Sequence, residues 1–232
     1  MLGKRRKKTD LPAVCAVIVA AGSSRRMGGE NKLLLEIDGV PVLARTLSAF
    51  QKCAAIRDIV LVCREQDIMP YTELAKAFSI DKLCTVTRGG ETRTESVLAG
   101  ITAAPENAVL VAVHDGARPL ISPDLIAHTI ATLKGNIDCD GAVVAHPAVD
   151  TLKVVENGVI VGTPDRRVFW NAQTPQVFRA GIYRRAHASA LSDGFMGTDD
   201  SSLIERLGGR VLVVEGKRDN IKLTVPEDYL ML

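Results

Sequence analysis

The sequence predicts an α/β protein built on a mostly parallel sheet with helices on both faces. Three observations carry this. Apolar runs of strand length recur at Ala13 to Ala20, Ile56 to Cys63, Leu83 to Thr87 and Val109 to Val113, each closed by turn or charged residues. Between them lie segments with helical spacing and helix punctuation, so the chain opens as β, α, β, α, β, the order of parallel strands joined by crossover helices. A strong hairpin signal, Asn157-Gly158 between apolar stretches, then breaks the alternation and predicts a β-arm projecting from the layered body.

The elements follow in order. After the first strand, Leu33 to Ile37 is a short apolar segment closed by Asp38-Gly39, and Pro41 opens a helix to about Lys52 in which Val42, Leu43, Leu47 and Phe50 fall near helical spacing. Ile68 to Phe78 reads as a helix, and a further one runs from the Arg88 to Ser96 stretch to about Ala104. Ser122 caps a helix that starts with Pro123 and ends near Gly135. Gly141 to His146 is a strand. Asp150 to Val155 and Val159 to Val161 form the hairpin, which continues through Thr163 to Arg167 into FWNAQTPQVF with the single Trp. Gly181 to Leu191 returns to helix, Thr198-Asp199-Asp200 caps another ending at Gly208-Gly209, and Arg210 to Val214 is a strand. Asn220 to Thr224 is expected as a last short strand before a helix opened by Pro226. The expected organisation is a basic tail over 1–12 and one domain over 13–232, with the arm at about 147–172.

Composition narrows the function. With 232 residues, 47% hydrophobic and 24% charged, the chain has the balance of an ordinary globular domain with a sizeable core. A formal net charge of +2 gives no argument for nucleic acid or membrane as partner. Five of the first eight residues that open the chain are basic, which suits a solvated terminus better than a binding surface. The five Cys residues are odd in number and never spaced C-x-x-C, the usage of reduced thiols in a cytoplasmic protein. No signal peptide follows the basic start, and the next apolar run is too short to span a bilayer. The four His residues lack i, i+4 pairing, which argues against a dedicated zinc site.

In parallel sheets ligands bind beyond the carboxyl ends of the strands, so the loops there hold the candidates. VIVAAGSSRRMGGENK, from Val17 to Lys32, passes from strand into a small-residue loop bearing Arg25, Arg26 and, six residues past Arg26, Lys32. Glycines and serines let backbone N–H groups approach an anion, while arginine and lysine offer a planar fork and a point charge to phosphoryl oxygens. Neither G-x-x-x-x-G-K-[ST] nor G-x-G-x-x-G occurs, so this is not a P-loop, and a nicotinamide dehydrogenase lacks its fingerprint. RGGETRTES, Arg88 to Ser96, places Glu91, Arg93 and Ser96 around a helix start, where unpaired N–H donors would favour an anion or carbonyl oxygen; a capped helix after a Gly turn explains the same pattern. HDGARP puts Asp115 at the end of a buried strand, a costly position unless the carboxylate binds a metal, a hydroxyl or a backbone donor, with Arg118 beside it. His114 suits a hydrogen-bonded strand end better than a general base.

AAGSSRRMGG with Lys32, GGETRTESVLAG, HDGARP, Asp150-Thr151 with Lys153, NAQTPQVF, GTDDSS and EGKRDNIKLTVPED together resemble, in content and order, the 2-C-methyl-D-erythritol 4-phosphate cytidylyltransferases of the non-mevalonate isoprenoid pathway. The match runs from about Ala13 to the C-terminus. The resemblance implies a nucleotidyltransferase-type, Rossmann-like fold, a homodimer through exchanged β-arms, and Mg²⁺-assisted transfer of CMP from CTP to the phosphate of 2-C-methyl-D-erythritol 4-phosphate with release of pyrophosphate. It implies that Ala20, Ala21, Gly22, Gly90, Glu91 and Ser96 line the cytidine. Arg26 and Lys32 would hold the triphosphate, and Lys222 would join them as a catalytic cation. Asp115 would lie near the ribose, the metal or the acceptor. Arg118 and Thr174, with Lys222, would face the acceptor phosphate, and Thr151 and Arg166 would reach from the arm into the partner's site. The chain departs from the family pattern where Ser24 replaces a usual glycine and where Asn31-Lys32-Leu33 replaces Pro-Lys-Gln.

Two other readings compete. A sister activity would transfer CMP to ribitol 5-phosphate, an acceptor of similar size, and Asp150-Thr151 with Arg166 favours methylerythritol phosphate. A non-catalytic nucleotide-binding protein would have no use for Arg26, Lys32, Asp115 and Lys222 together.

Overall fold

The computed structural model describes residues 13–22 and 31–230. The basic tail and Arg26 lie outside the described residues. Among the described residues the main sheet has seven strands: β1 (Ala13–Ala20), β4 (Asp58–Cys63), β5 (Leu83–Arg88), β6 (Ala108–Asp115), β7 (Gly141–Pro147), β10 (Trp170–Arg179) and β11 (Val211–Glu215). Across the sheet they lie in the order β11-β7-β10-β6-β1-β4-β5. β1 pairs in parallel with β4 and β6, β4 with β5, and β7 with β11. β10 alone runs against its neighbours, between β6 and β7.

Alternation along β1 shows how the sequence builds two cores. Val14, Ala16 and Ile18 point to one face and Cys15 and Val17 to the other, the period of two that a strand buried on both sides requires. The first face is covered by α1 (Val42–Lys52), α2 (Ile68–Ala77) and α4 (Pro123–Gly135), through Leu43, Leu47, Phe50, Tyr71, Ile126 and Ile130. The second is covered by α3 (Arg93–Ala103), α5 (Ala180–Ser192) and α6 (Ser201–Arg206), through Val97, Ile101, Tyr183, Leu203 and Ile204. α3 reaches the sheet because Gly100 has no side chain: a Cβ there would lie 2.3 Å from Val17 Cγ1 and 2.8 Å from Val62 Cγ2.

Two small ribbons complete the body. β2 (Glu36–Ile37) and β3 (Val40–Pro41) pair across Asp38-Gly39, and β8 (Val154–Glu156) pairs with β9 (Val159–Gly162) across Asn157-Gly158, both of whose residues have positive φ as the turn demands. The β8–β9 ribbon exposes Val155, Val159, Ile160 and Val161, and after it come exposed Val168, Phe169 and Trp170. α7 (Pro226–Tyr229) ends the described chain.

One expected element is absent. Residues 220–224 form no strand. Their backbone is spent on loops instead: the Asn220 carbonyl accepts from Arg118 Nη1 at 2.6 Å, Leu223 N donates to the Ala117 carbonyl at 2.9 Å, and the Leu223 carbonyl accepts from Lys32 Nζ at 2.6 Å. The segment is a strap across the end of the sheet.

Candidate active site

Strand register lines up the carboxyl ends of the parallel strands. Val19 pairs with Asp115, Ala20 with Cys63 and Cys63 with Arg88, so the loops after β1, β4, β5 and β6 leave the same edge side by side. Gly89 N donates to the Cys63 carbonyl and Gly116 N to the Val19 carbonyl, each at 2.9 Å. A Cβ on Gly89 would sit 2.6 Å from Ser96 Oγ and 2.8 Å from Ala21 Cβ. The loop after β5 therefore lies directly on the end of β1, and Ala20 and Ala21 share a corner with Gly90, Glu91 and Ser96.

The start of α3 differs from the expectation of open donors. Thr92 and Glu95 form a capping box: Glu95 N donates to Thr92 Oγ1 at 3.1 Å, while Glu95 Oε2 accepts from Glu91 N at 2.7 Å and Thr92 N at 3.1 Å. The helix thus neutralises its own N-terminus. Ser96 is buried and its hydroxyl bonds to the Thr92 carbonyl at 2.9 Å.

Asp115 is the centre of the charged cluster. Lys222 Nζ lies 3.0 Å and Arg118 Nε 3.4 Å from its Oδ2, and Arg93 Nε lies 3.6 Å from its Oδ1. Burial alone would push this carboxyl's pKa up, but Lys222, Arg93 and Arg118 outweigh it and hold the group well below the usual carboxylate range. Burial pulls the Arg118 pKa down, against the pull of Asp115. Lys222 keeps about a third of its side chain in solvent, so it can still meet a ligand.

His114 and Thr174 form the floor. Thr174 Oγ1 accepts from Asp115 N at 3.1 Å and lies 2.9 Å from His114 Nδ1, whose other nitrogen lies 3.3 Å from the Arg118 carbonyl. A consistent set of donors has the hydroxyl donating to Nδ1 and Nε2–H donating to the carbonyl. Burial lowers the His114 pKa to about 4, so the ring is neutral at pH 7. Both nitrogens are occupied, as a strand-end histidine rather than a base requires. Asn220, buried, donates from Nδ2 to Gln173 Oε1 at 3.2 Å and to the Thr174 carbonyl at 3.0 Å, tying the strap to β10.

Arg93, noted in the sequence only for its place at a helix start, is a member of this cluster. Its Nη1 donates to Asp200 Oδ2 at 2.7 Å. The sequence places Asp200 in a helix cap with Thr198 and Asp199, but the capping bond falls to Asp199, whose Oδ1 accepts from Ser202 N at 3.0 Å. Two adjacent aspartates where one cap suffices was the available signal. Thr151 and Arg166 are exposed on the arm; Arg166 donates to the Val149 carbonyl, and among the described residues no hydrogen bond or ion pair joins either to the Asp115 cluster.

Residues 14–232 match the family model described as 2-C-methyl-D-erythritol 4-phosphate cytidylyltransferase. The chain belongs to that family. Curated relatives of that name include those of Geotalea uraniireducens, 44% identical with 94% of each chain covered, and Bacillus licheniformis, 43% identical over 93% of this chain and 92% of the relative. A solved 4-diphosphocytidyl-2C-methyl-D-erythritol synthase from Anaerococcus prevotii superposes with a TM-score of 0.84 at 31% identity, covering 94% of this chain and 93% of that one. The Thermus thermophilus cytidylyltransferase gives 0.76 at 30%, covering 93% and 95%. The enzyme is therefore a nucleotidyltransferase that uses CTP to form 4-diphosphocytidyl-2-C-methyl-D-erythritol in isoprenoid biosynthesis. This separates the two acceptors that the sequence left in competition.

Proposed function

We propose that the reaction runs at the carboxyl edge of β1, β5 and β6, with Lys222, Lys32 and Arg26 as its cations. What supports this is the strap of residues 220–224, which docks on the loop after Asp115, sets Lys222 on that carboxylate and accepts from Lys32, a residue far from it in the chain. A phosphate oxygen of the acceptor attacks the α-phosphorus of CTP; the new P–O bond forms as the bond from that phosphorus to the bridging oxygen breaks, and pyrophosphate leaves with the electron pair. The attacking group is already an anion, so no base is needed, and a neutral, doubly bonded His114 fits that. The barrier is repulsion between two anions and charge gathering on the bridging oxygen, which positioned cations lower. Asp115 fixes Lys222 and Arg118 at the acceptor side, Thr174 braces Asp115 through its backbone, and Ala20, Ala21, Gly22, Gly90, Glu91 and Ser96 form the cytidine corner.

Mg²⁺ fits this donor set in one way. Among the described residues no three His, Cys, Asp or Glu side chains cluster, while Asp115 is a single ionised carboxylate. Magnesium is commonly held by one or two carboxylates plus substrate phosphates, so the CTP phosphates would hold it with Asp115 as the candidate protein ligand. When bound it would neutralise phosphate charge.

The arm supports a homodimer. A two-stranded ribbon is marginal in water, and Val155, Ile160, Val161, Val168 and Trp170 are too much apolar surface to leave wet. A second copy exchanging its arm would cover them and bring Thr151 and Arg166 to the neighbouring site. We further propose a single domain over 13–232 in the cytoplasm; among the described residues no helix is long and apolar enough to cross a membrane.

Pyrophosphate release measured with CTP and each polyol phosphate tests the assignment. Turnover is expected with methylerythritol phosphate in excess of ribitol phosphate; a preference for ribitol phosphate, or no release with either, would overturn it.

A further inference from the structure

Beneath the charged cluster lies a second, buried polar chain that the reaction as described does not use. Asp200 is 2% exposed. Its Oδ2 accepts from Arg93 Nη1 at 2.7 Å and its Oδ1 from Tyr183 OH at 2.6 Å, and His187 Nε2 lies 3.9 Å from Oδ1. Tyr183 is itself locked, stacked on Phe178 with centroids 4.5 Å apart and edge-on to His187 at 4.7 Å. His187 is buried, among the described residues neither of its ring nitrogens has a hydrogen-bond partner, and burial holds its pKa down, so it adds no positive charge. The guanidinium of Arg93 thus spans two carboxylates, Asp200 by the Nη1 end and Asp115 by the Nε edge.

The two contacts are unequal, and the inequality matters. Arg93 has the shorter bond to Asp200 and stands off from Asp115 at 3.6 Å, on Oδ1, while Lys222 takes Oδ2 at 3.0 Å. An arginine facing one carboxylate prefers a two-point, fork-to-fork pairing that occupies both oxygens. Without Asp200, Arg93 would close on Asp115 in that way, and Lys222 would lose its anchor.

We propose that Asp200, fixed by Tyr183, positions Arg93 so that it stands off from Asp115 at 3.6 Å on the Oδ1 side, leaving Oδ2 to hold Lys222 in its working place. Arg93 and Asp200 are positioning residues: they act through Asp115 and Lys222 and need not touch either substrate. The inference rests on the assignment of Lys222 to the reacting phosphates.

Steady-state kinetics of the full-length enzyme with Asp200→Asn, Arg93→Lys and the double variant test it. A misplacement of about 1 Å at a reacting centre costs about 10²-fold. Asp200→Asn, which keeps the side-chain shape, is therefore expected to lower kcat by about 10- to 100-fold while KM for CTP stays within about threefold. Arg93→Lys keeps the charge but cannot span both carboxylates, so it should fall in the same range. The double variant should be no more than about threefold worse than the poorer single one, since both break one unit. Folded Asp200→Asn enzyme with wild-type kcat, or single losses that multiply, would overturn the proposal. If Asp200→Asn does not fold, Tyr183→Phe removes only the hydroxyl donor: a kcat loss of about three- to tenfold supports the proposal, and an unchanged kcat overturns it. Lys222→Gln run alongside separates the two readings, because a turnover near that of the wild type in that variant would count against the cation assignment itself.

Discussion

Asp115 and His114 sit next to each other at the end of β6, both buried, and the fold treats them in opposite ways. The carboxylate is surrounded by Lys222, Arg93 and Arg118 and stays charged; the imidazole accepts from a hydroxyl, donates to a carbonyl and stays neutral. The difference has a pH consequence. His114 has a folded pKa near 4 against an ordinary value of 6.5, so between those values the unfolded chain binds a proton that the native one does not. Stability must then rise with pH across that window and fall as pH drops through it, at up to about 1.4 kcal/mol per pH unit for the one group. Buried His187, also shifted down, adds in the same direction. Urea unfolding between pH 6.5 and 5 should show this slope, and a flat profile would mean that neither ring is held neutral. At this scale Asp115 was legible, because an Asp closing an apolar strand is conspicuous. Arg93 and Asp200 were visible only as parts of caps, since nothing local in the sequence says that residues 107 positions apart share a bond.

Elements were legible where period and punctuation agree. α4 begins at Pro123 after its Ser122 cap and ends at Gly135, and the β8–β9 turn falls on Asn157-Gly158. β10 was harder. NAQTPQVF carries two glutamines and a threonine, all buried, so it does not read as the central strand that it partly is, and its antiparallel direction follows from pairings that no local pattern encodes. The strap at 220–224 has strand composition but spends its backbone on loops. Two tests belong here. Gly100→Ala improves the intrinsic helix propensity of α3 by about 1 kcal/mol, yet should destabilise the protein by about 1–3 kcal/mol because the new methyl meets Val17 and Val62; a rise in melting temperature would show that α3 does not lie where it is described. On the arm, Ile160→Asp should give a monomer by light scattering with reduced turnover, whereas an unaltered dimer would place the interface elsewhere.

At the scale of the molecule, the parallel sheet gathers loops from distant parts of the chain along one edge, and the strap brings Lys222 to Asp115 while its next residue accepts from Lys32. A reaction between two anions needs this gathering more than it needs any single reactive side chain. The sheet and its helices do not depend on Lys222, which is partly exposed and makes its recorded side-chain contact with Asp115. The most direct test is the rate of pyrophosphate release by Lys222→Gln at saturating CTP and methylerythritol phosphate, on protein whose melting temperature shows it folded. By the scale of losing one transition-state charge donor, turnover should fall about 10²-fold or more. A rate near that of the wild type would contradict the claim that cations converging on this edge drive the transfer.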